Sequence, residues 1–85
     1  MQKMRVLYAE DDMVRANLVK LQVEGAGFAL RIVTDGQAAW EAYLEDRPDI
    51  LLLDIEMPEI DGLELTRMVR QRDWCTRILA YTSHV

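Results

Sequence analysis

The sequence predicts an α/β fold: a doubly wound parallel sheet with strand order 2-1-3-4. Three observations carry that prediction. Short apolar runs alternate with helix-like stretches as βαβαβαβ, at roughly 25 residues per unit, which suits crossover helices and not hairpins. The runs are continuous in apolar residues instead of alternating, as in strands buried on both faces. Crossovers of parallel strands are right-handed, so placing the first helix on one face and the next two on the other leaves this order.

The first strand is Val6-Leu7-Tyr8-Ala9, stopped by Glu10-Asp11-Asp12. A helix follows from Met13, where Val14, Leu18 and Leu21 recur at helical spacing until Gly25 and Gly27 break the pattern. Phe28 to Val33 forms the second strand, and Thr34-Asp35-Gly36 is a turn in which Asp35 can cap the next helix. That helix covers Gln37 to Glu45, with Trp40 and Tyr43 at core-like spacing, and Asp46-Arg47-Pro48 closes it. Asp49 to Asp54 is the most apolar strand, bounded by acids, and should be central. After Ile55 to Ile60, Asp61-x-x-Glu64 opens a third helix carrying Leu63, Met68 and Val69. Trp74 is expected to cover the end of that helix, and Arg67, Arg70 and Arg72 to form a solvated face. Arg77 to Thr82 is the fourth strand.

Composition narrows the function. The 85 residues suit one small domain, and 51% hydrophobic with 29% charged residues implies a packed core. A net charge of −5 disfavours binding to a phosphate backbone, so nucleic acid is not expected as a direct partner of this chain. Cys75 alone supports neither a disulfide nor a thiolate metal cage, and is expected to be a half-buried small side chain. Neither a secretory h-region nor a membrane span is present in these residues, and a cytoplasmic location without membrane contact is expected.

Glu10, Asp11 and Asp12 follow the first strand and Asp54 ends the third, so the sheet brings acids together at the strands' carboxyl ends, where open α/β sheets bind ligands. Two carboxylates about 4 Å apart repel by roughly 1 kcal/mol in water and roughly 4 kcal/mol at an effective dielectric near 20. A cation must answer that repulsion. Oxygen ligands without nearby histidine or thiolate favour a hard divalent ion such as Mg²⁺. Solvation of strand ends and helix capping are the ordinary alternatives, and Asp12 before Met13 suits a cap. Asp54 fits them less well, because an acid ending four aliphatics pays desolvation that solubility does not require. A carboxylate beside a metal can attack phosphorus, and Thr82 at the end of the fourth strand could donate its hydroxyl to a phosphoryl oxygen.

The segments Val6 to Asp12, Leu51 to Leu65 and Ile78 to Ser83, with the string Asp54-x-x-Met57-Pro58-x-x-Asp61-Gly62, closely resemble the receiver domain of two-component response regulators. The resemblance covers Val6 to Val85 and implies a flavodoxin-like, CheY-like fold. It implies a phosphorylation switch and not a turnover enzyme: Asp54 takes a phosphoryl group from the phosphohistidine of a sensor histidine kinase or phosphotransfer protein. By the same resemblance, Mg²⁺, or Mn²⁺, is held by Asp11, Asp54 and the Glu56 backbone carbonyl, with Glu10 often acting through water, and Thr82 is the switch hydroxyl. Glu56 and His84 match variable positions that flank the phosphoryl group, where they would control access of the hydrolytic water. Met57-Pro58 and Asp61-Gly62 shape the loop after the acceptor.

The family continues with another helix, a lysine-bearing fifth strand and a last helix, whereas the only lysines here are Lys3 and Lys20. Residues 1–85 therefore correspond to an incomplete receiver, with its first four strands and three helices, truncated before the fifth strand. Strand four is then expected to be an open edge available to a second copy or an exchanged segment. Two other readings stand beside the receiver. One is a pseudo-receiver that binds a protein without phosphotransfer. The other is a phosphatase of the haloacid-dehalogenase type, suggested faintly by Asp54-x-Glu56.

Overall fold

A computed structural model of the chain describes residues 2–82. Four strands, β1 (Arg5–Ala9), β2 (Ala29–Val33), β3 (Ile50–Asp54) and β4 (Arg77–Tyr81), alternate with three helices, α1 (Met13–Gly25), α2 (Gly36–Glu45) and α3 (Gly62–Arg70). All pairings are parallel and the order is β2-β1-β3-β4, as the apolar runs imply. Phe28, Asp49 and Thr82 fall just outside their expected strands, and α2 begins one residue early, at Gly36.

Alternation along the two central strands divides the layers. Leu7, Ala9, Leu51 and Leu53 join Ala39 and Tyr43 of α2 and Leu65 and Val69 of α3 in the buried core. Trp40 stacks on Tyr43 at the edge of this layer, with ring centroids 5.5 Å apart. The opposite face, with Val6, Ile50, Leu52 and Leu79, borders an apolar groove beside Val23 and Phe28 of about 240 Å³.

Three aspartates start the helices. Asp12 Oδ1 accepts from Val14 N (3.0 Å), Asp35 Oδ1 from Ala38 N (2.7 Å) and Asp61 Oδ1 from Glu64 N (2.9 Å). The Glu64 carboxylate pairs with Arg67 one turn on, at 2.6 Å.

Several expectations need correction. In α1, Val14, Leu18 and Leu21 are 72%, 59% and 72% exposed, and the inward stripe is Ala16, Val19 and Val23. Two apolar stripes share this helix, and spacing alone does not say which one meets the sheet. In α3 the fully buried positions are Gly62, Leu65 and Val69, while Leu63 is exposed. Trp74 stands 80% exposed and does not cover the helix end; the Arg70 guanidinium lies over its ring, 5.6 Å from the centroid. Cys75 is exposed as well, because its loop turns outward around Asp73.

Candidate functional site

Register builds the site. Ala9 pairs with Leu53 and Asp54 with Tyr81, so the residue after β1, the last residue of β3 and the start of the chain after β4 lie side by side. Glu10 follows Ala9 and extends the pairing with β2 by one bond, its own N–H donating to Val33 O at 3.0 Å. Both Glu10 and Asp54 are fully buried, whereas Asp11 is exposed. One carboxylate oxygen from each of the three lies within 4.8 Å of the others. The acids brought together on sequence grounds are thus adjacent. Asp12, by contrast, faces its own helix as a cap.

Each carboxylate is held differently. Glu10 Oε1 accepts from the Tyr81 hydroxyl and from Arg15 Nη1 (3.2 Å), and Oε2 accepts from Asp12 N (3.0 Å). Tyr8 and Tyr81 join their hydroxyls at 2.7 Å beneath it. Burial pushes the Glu10 carboxyl up, but the donors Tyr81, Asp12 N–H and Arg15 outweigh burial and hold it below the ordinary glutamate value. Asp11 moves the other way, raised by desolvation first and then by its hydrogen bond with Glu10 and the charges of Glu10 and Asp54. The Tyr81 phenol is raised by burial and by the carboxylate it serves, so it remains a donor.

Asp54 Oδ1 accepts from Glu56 N at 3.0 Å, a turn that sets the start of the loop. Its Oδ2 is buried without a hydrogen-bond partner. Among the described residues the cation facing it is Arg15 Nη1, 3.7 Å away, an ion pair without a hydrogen bond. A buried carboxylate oxygen without a donor is costly unless a ligand completes it. Together with the all-oxygen donor set of Glu10, Asp11 and Asp54, it fits a hard divalent cation such as Mg²⁺.

Thr82 comes directly after the Asp54–Tyr81 pair and is exposed; Glu56 is exposed in the loop. His84 lies outside the described residues. The loop after Asp54 is fastened by Gly62 N donating to Ile55 O (2.8 Å) and Gly36 N to Pro58 O (3.3 Å). Glu59 within it takes a left-handed φ of 70°.

The profile of the response regulator receiver domain matches residues 6–85. The chain belongs to the receiver domain family of response regulators. It is 39% identical over 79 residues to the transcriptional regulatory protein TrcR of Mycobacterium tuberculosis, covering 93% of this chain and 31% of that protein. It is 43% identical over 65 residues to CseB of Streptomyces coelicolor, covering 76% of this chain and 28% of the relative. This receiver therefore spans about a third of the length of these curated relatives. Among solved structures, the receiver domain of Francisella response regulator 1452 superposes with a TM-score of 0.90 at 26% identity, covering 96% of this chain and 68% of that one. The receiver domain of NarL from M. tuberculosis gives 0.88 at 30% identity, covering all of this chain and 70% of that one. The fold and the role as a phosphorylation switch in two-component signalling follow from this membership.

Sequence reasoning missed three residues of this receiver's site: Tyr8, Tyr81 and Arg15. The tyrosines were detectable as phenols in strands otherwise apolar on both faces, whose hydroxyls need partners. Arg15 carried a weaker signal, an arginine four residues after Asp11 at the start of a helix.

Proposed function

We propose that Asp54 is the phosphoryl acceptor of this receiver, with Mg²⁺ or Mn²⁺ held by Glu10, Asp11, Asp54 and the Glu56 carbonyl, and Thr82 acting as the switch hydroxyl. The observation that carries this reading is Asp54 Oδ2, buried and without a hydrogen bond in a cluster of carboxylates. Glu56 N–H fixes the other oxygen and so orients the carboxylate. An Asp54 oxygen attacks phosphorus of a phosphohistidine; the O–P bond forms as the N–P bond breaks, and that bonding pair stays on the departing imidazole. When bound, the divalent cation neutralises charge on the phosphoryl oxygens. In the metal-free chain Tyr81, the Asp12 N–H and Arg15 hold the Glu10 carboxyl below the ordinary glutamate value.

The donor is a sensor histidine kinase or a phosphotransfer protein in the cytoplasm, and the chain is a switch and not a turnover enzyme. No helix among the described residues is long and apolar enough to cross a membrane. Residues 1–85 act as the first part of a receiver, and relatives named as transcriptional regulators suggest that the whole protein controls transcription. With a net charge of −5, this part is not the DNA-contacting one. β4, paired only with β3 among the described residues, is the edge through which a second copy or an exchanged segment would add.

Incubation with phosphoramidate and Mg²⁺, followed by intact mass, tests the acceptor. One phosphoryl group is expected on the wild-type chain and none on Asp54→Asn. Mg²⁺ binding without any labelling would instead make this a pseudo-receiver, and labelling of Asp54→Asn would refute the acceptor outright.

A further inference from the structure

Arg15 enters the acidic site from the first turn of α1. Its Nη1 lies 3.2 Å from Glu10 Oε1 and 3.7 Å from Asp54 Oδ2, and Nη2 lies 3.9 Å from Asp12 Oδ2. Glu10 and Asp54 are buried and negatively charged neighbours, so they need a positive charge close by. Arg15 is the cation that the described residues place between them. Its own side chain is 37% exposed, so the guanidinium can leave without breaking the core. With Asp54 Oδ2 it makes an ion pair and no hydrogen bond, which leaves that oxygen open to a better partner.

We propose that Arg15 is a resident counter-ion of the site, which balances Glu10 and Asp54 in the metal-free receiver and is displaced from both when a divalent cation binds. The inference rests on the metal site described above. Two cations held close to the same buried carboxylates repel each other, so each weakens the other's hold. Metal-free protein is thereby spared the full repulsion of its carboxylates, and metal binding costs the Arg15 contact. Arg15 is a positioning residue here: it sets the threshold for the cation and leaves the attacking oxygen to Asp54.

The test measures Mg²⁺ binding by calorimetry on the whole chain at low salt, in wild type, Arg15→Met and Arg15→Lys. Methionine keeps a long apolar stem and offers no charge and no oxygen ligand. Arg15→Met is expected to bind Mg²⁺ about fivefold or more tightly, within the usual range of such coupling. Arg15→Lys should return towards wild type, and the gap should narrow as salt screens the partly exposed guanidinium. Unchanged or weaker binding by a folded Arg15→Met would overturn the proposal. On the unaltered chain, nuclear magnetic resonance of the Arg15 guanidinium protons gives a second reading: they should be protected from solvent exchange without metal and lose protection on adding Mg²⁺. Protection that persists in the Mg²⁺-bound chain would also overturn it. Absence of Mg²⁺ binding from all three proteins would refute the metal site itself, a different failure.

Discussion

Gly36 and Gly62 sit where the loop after Asp54 presses against the helix starts. A Cβ on Gly36 would lie 1.7 Å from the Ile60 carbonyl oxygen and 2.6 Å from its carbon, both backbone atoms that cannot rotate away. On Gly62 it would lie 2.8 Å from the Asp54 carbonyl oxygen. These glycines permit close approach of chains, which is a different need from the left-handed φ of 95° at Gly27. Gly25, at the end of α1, has open space around it. Urea denaturation should therefore separate the two cases: Gly36→Ala destabilises by about 2 kcal/mol through forced backbone displacement, whereas Gly25→Ala stabilises by about 0.5 kcal/mol by restricting the unfolded chain. Equal effects would mean that the loop does not depend on Gly36. At this scale Glu10, Asp11 and Asp54 were legible because acids ending apolar runs are costly, and their meeting needed only the strand order. Arg15 was not, since a flexible four-bond side chain can point anywhere around its helix.

Between elements, Asp73, just past α3, ties that end of the helix to α2 and to the turn that enters β4. Its Oδ1 accepts from Cys75 N (2.8 Å) and Thr76 N (3.1 Å), and its Oδ2 from Thr76 Oγ1 (2.6 Å) and Tyr43 Oη (2.9 Å). Arg47 Nε adds a charge at 3.4 Å. These donors, Thr76 foremost, overcome burial and hold the Asp73 carboxyl well below its ordinary 3.8. A depressed folded value means that the unfolded chain takes up the proton first as acid is added. The contribution is fully present above the ordinary value and is lost as pH falls from there towards the depressed folded one. Asp73→Asn should cost about 3 kcal/mol at pH 7, the cost typical of removing one partner from a buried charged network. Its deficit against wild type should shrink in urea melts at about pH 3; a deficit constant across that range would assign the loss to packing. Sequence reasoning left Asp73 out because an acid in a loop looks solvated until the fold turns it inward. The α1 stripe shows the converse: Val14, Leu18 and Leu21 have the spacing of a core face, yet Ala16, Val19 and Val23 take that place.

Across the whole molecule the strands point their carboxyl ends at one pole, and the topology concentrates negative charge there. The order β2-β1-β3-β4 was legible because continuous apolar runs demand a parallel sheet and right-handed crossovers leave few windings. The same order makes the site conditional on folding, since Glu10 and Asp11 belong to the β1 end and Asp54 to β3, far apart in an extended chain. A divalent cation held by all three groups binds the native state and not the unfolded one, and so raises stability by mass action. Mg²⁺ at ten times its Kd should add about 1.4 kcal/mol and raise Tm by roughly 5–10 °C for a domain of this size. Asp54→Asn removes one charge from the cluster and should abolish most of that gain while its metal-free Tm stays level or rises, because a buried unpartnered oxygen has become less costly. A scan of wild type and variant with Mg²⁺ and with sodium chloride of matched ionic strength separates site binding from general screening. If both proteins gain equally, or sodium chloride reproduces the shift, the cation is acting on the net charge of −5 and not on the pole where the strands end.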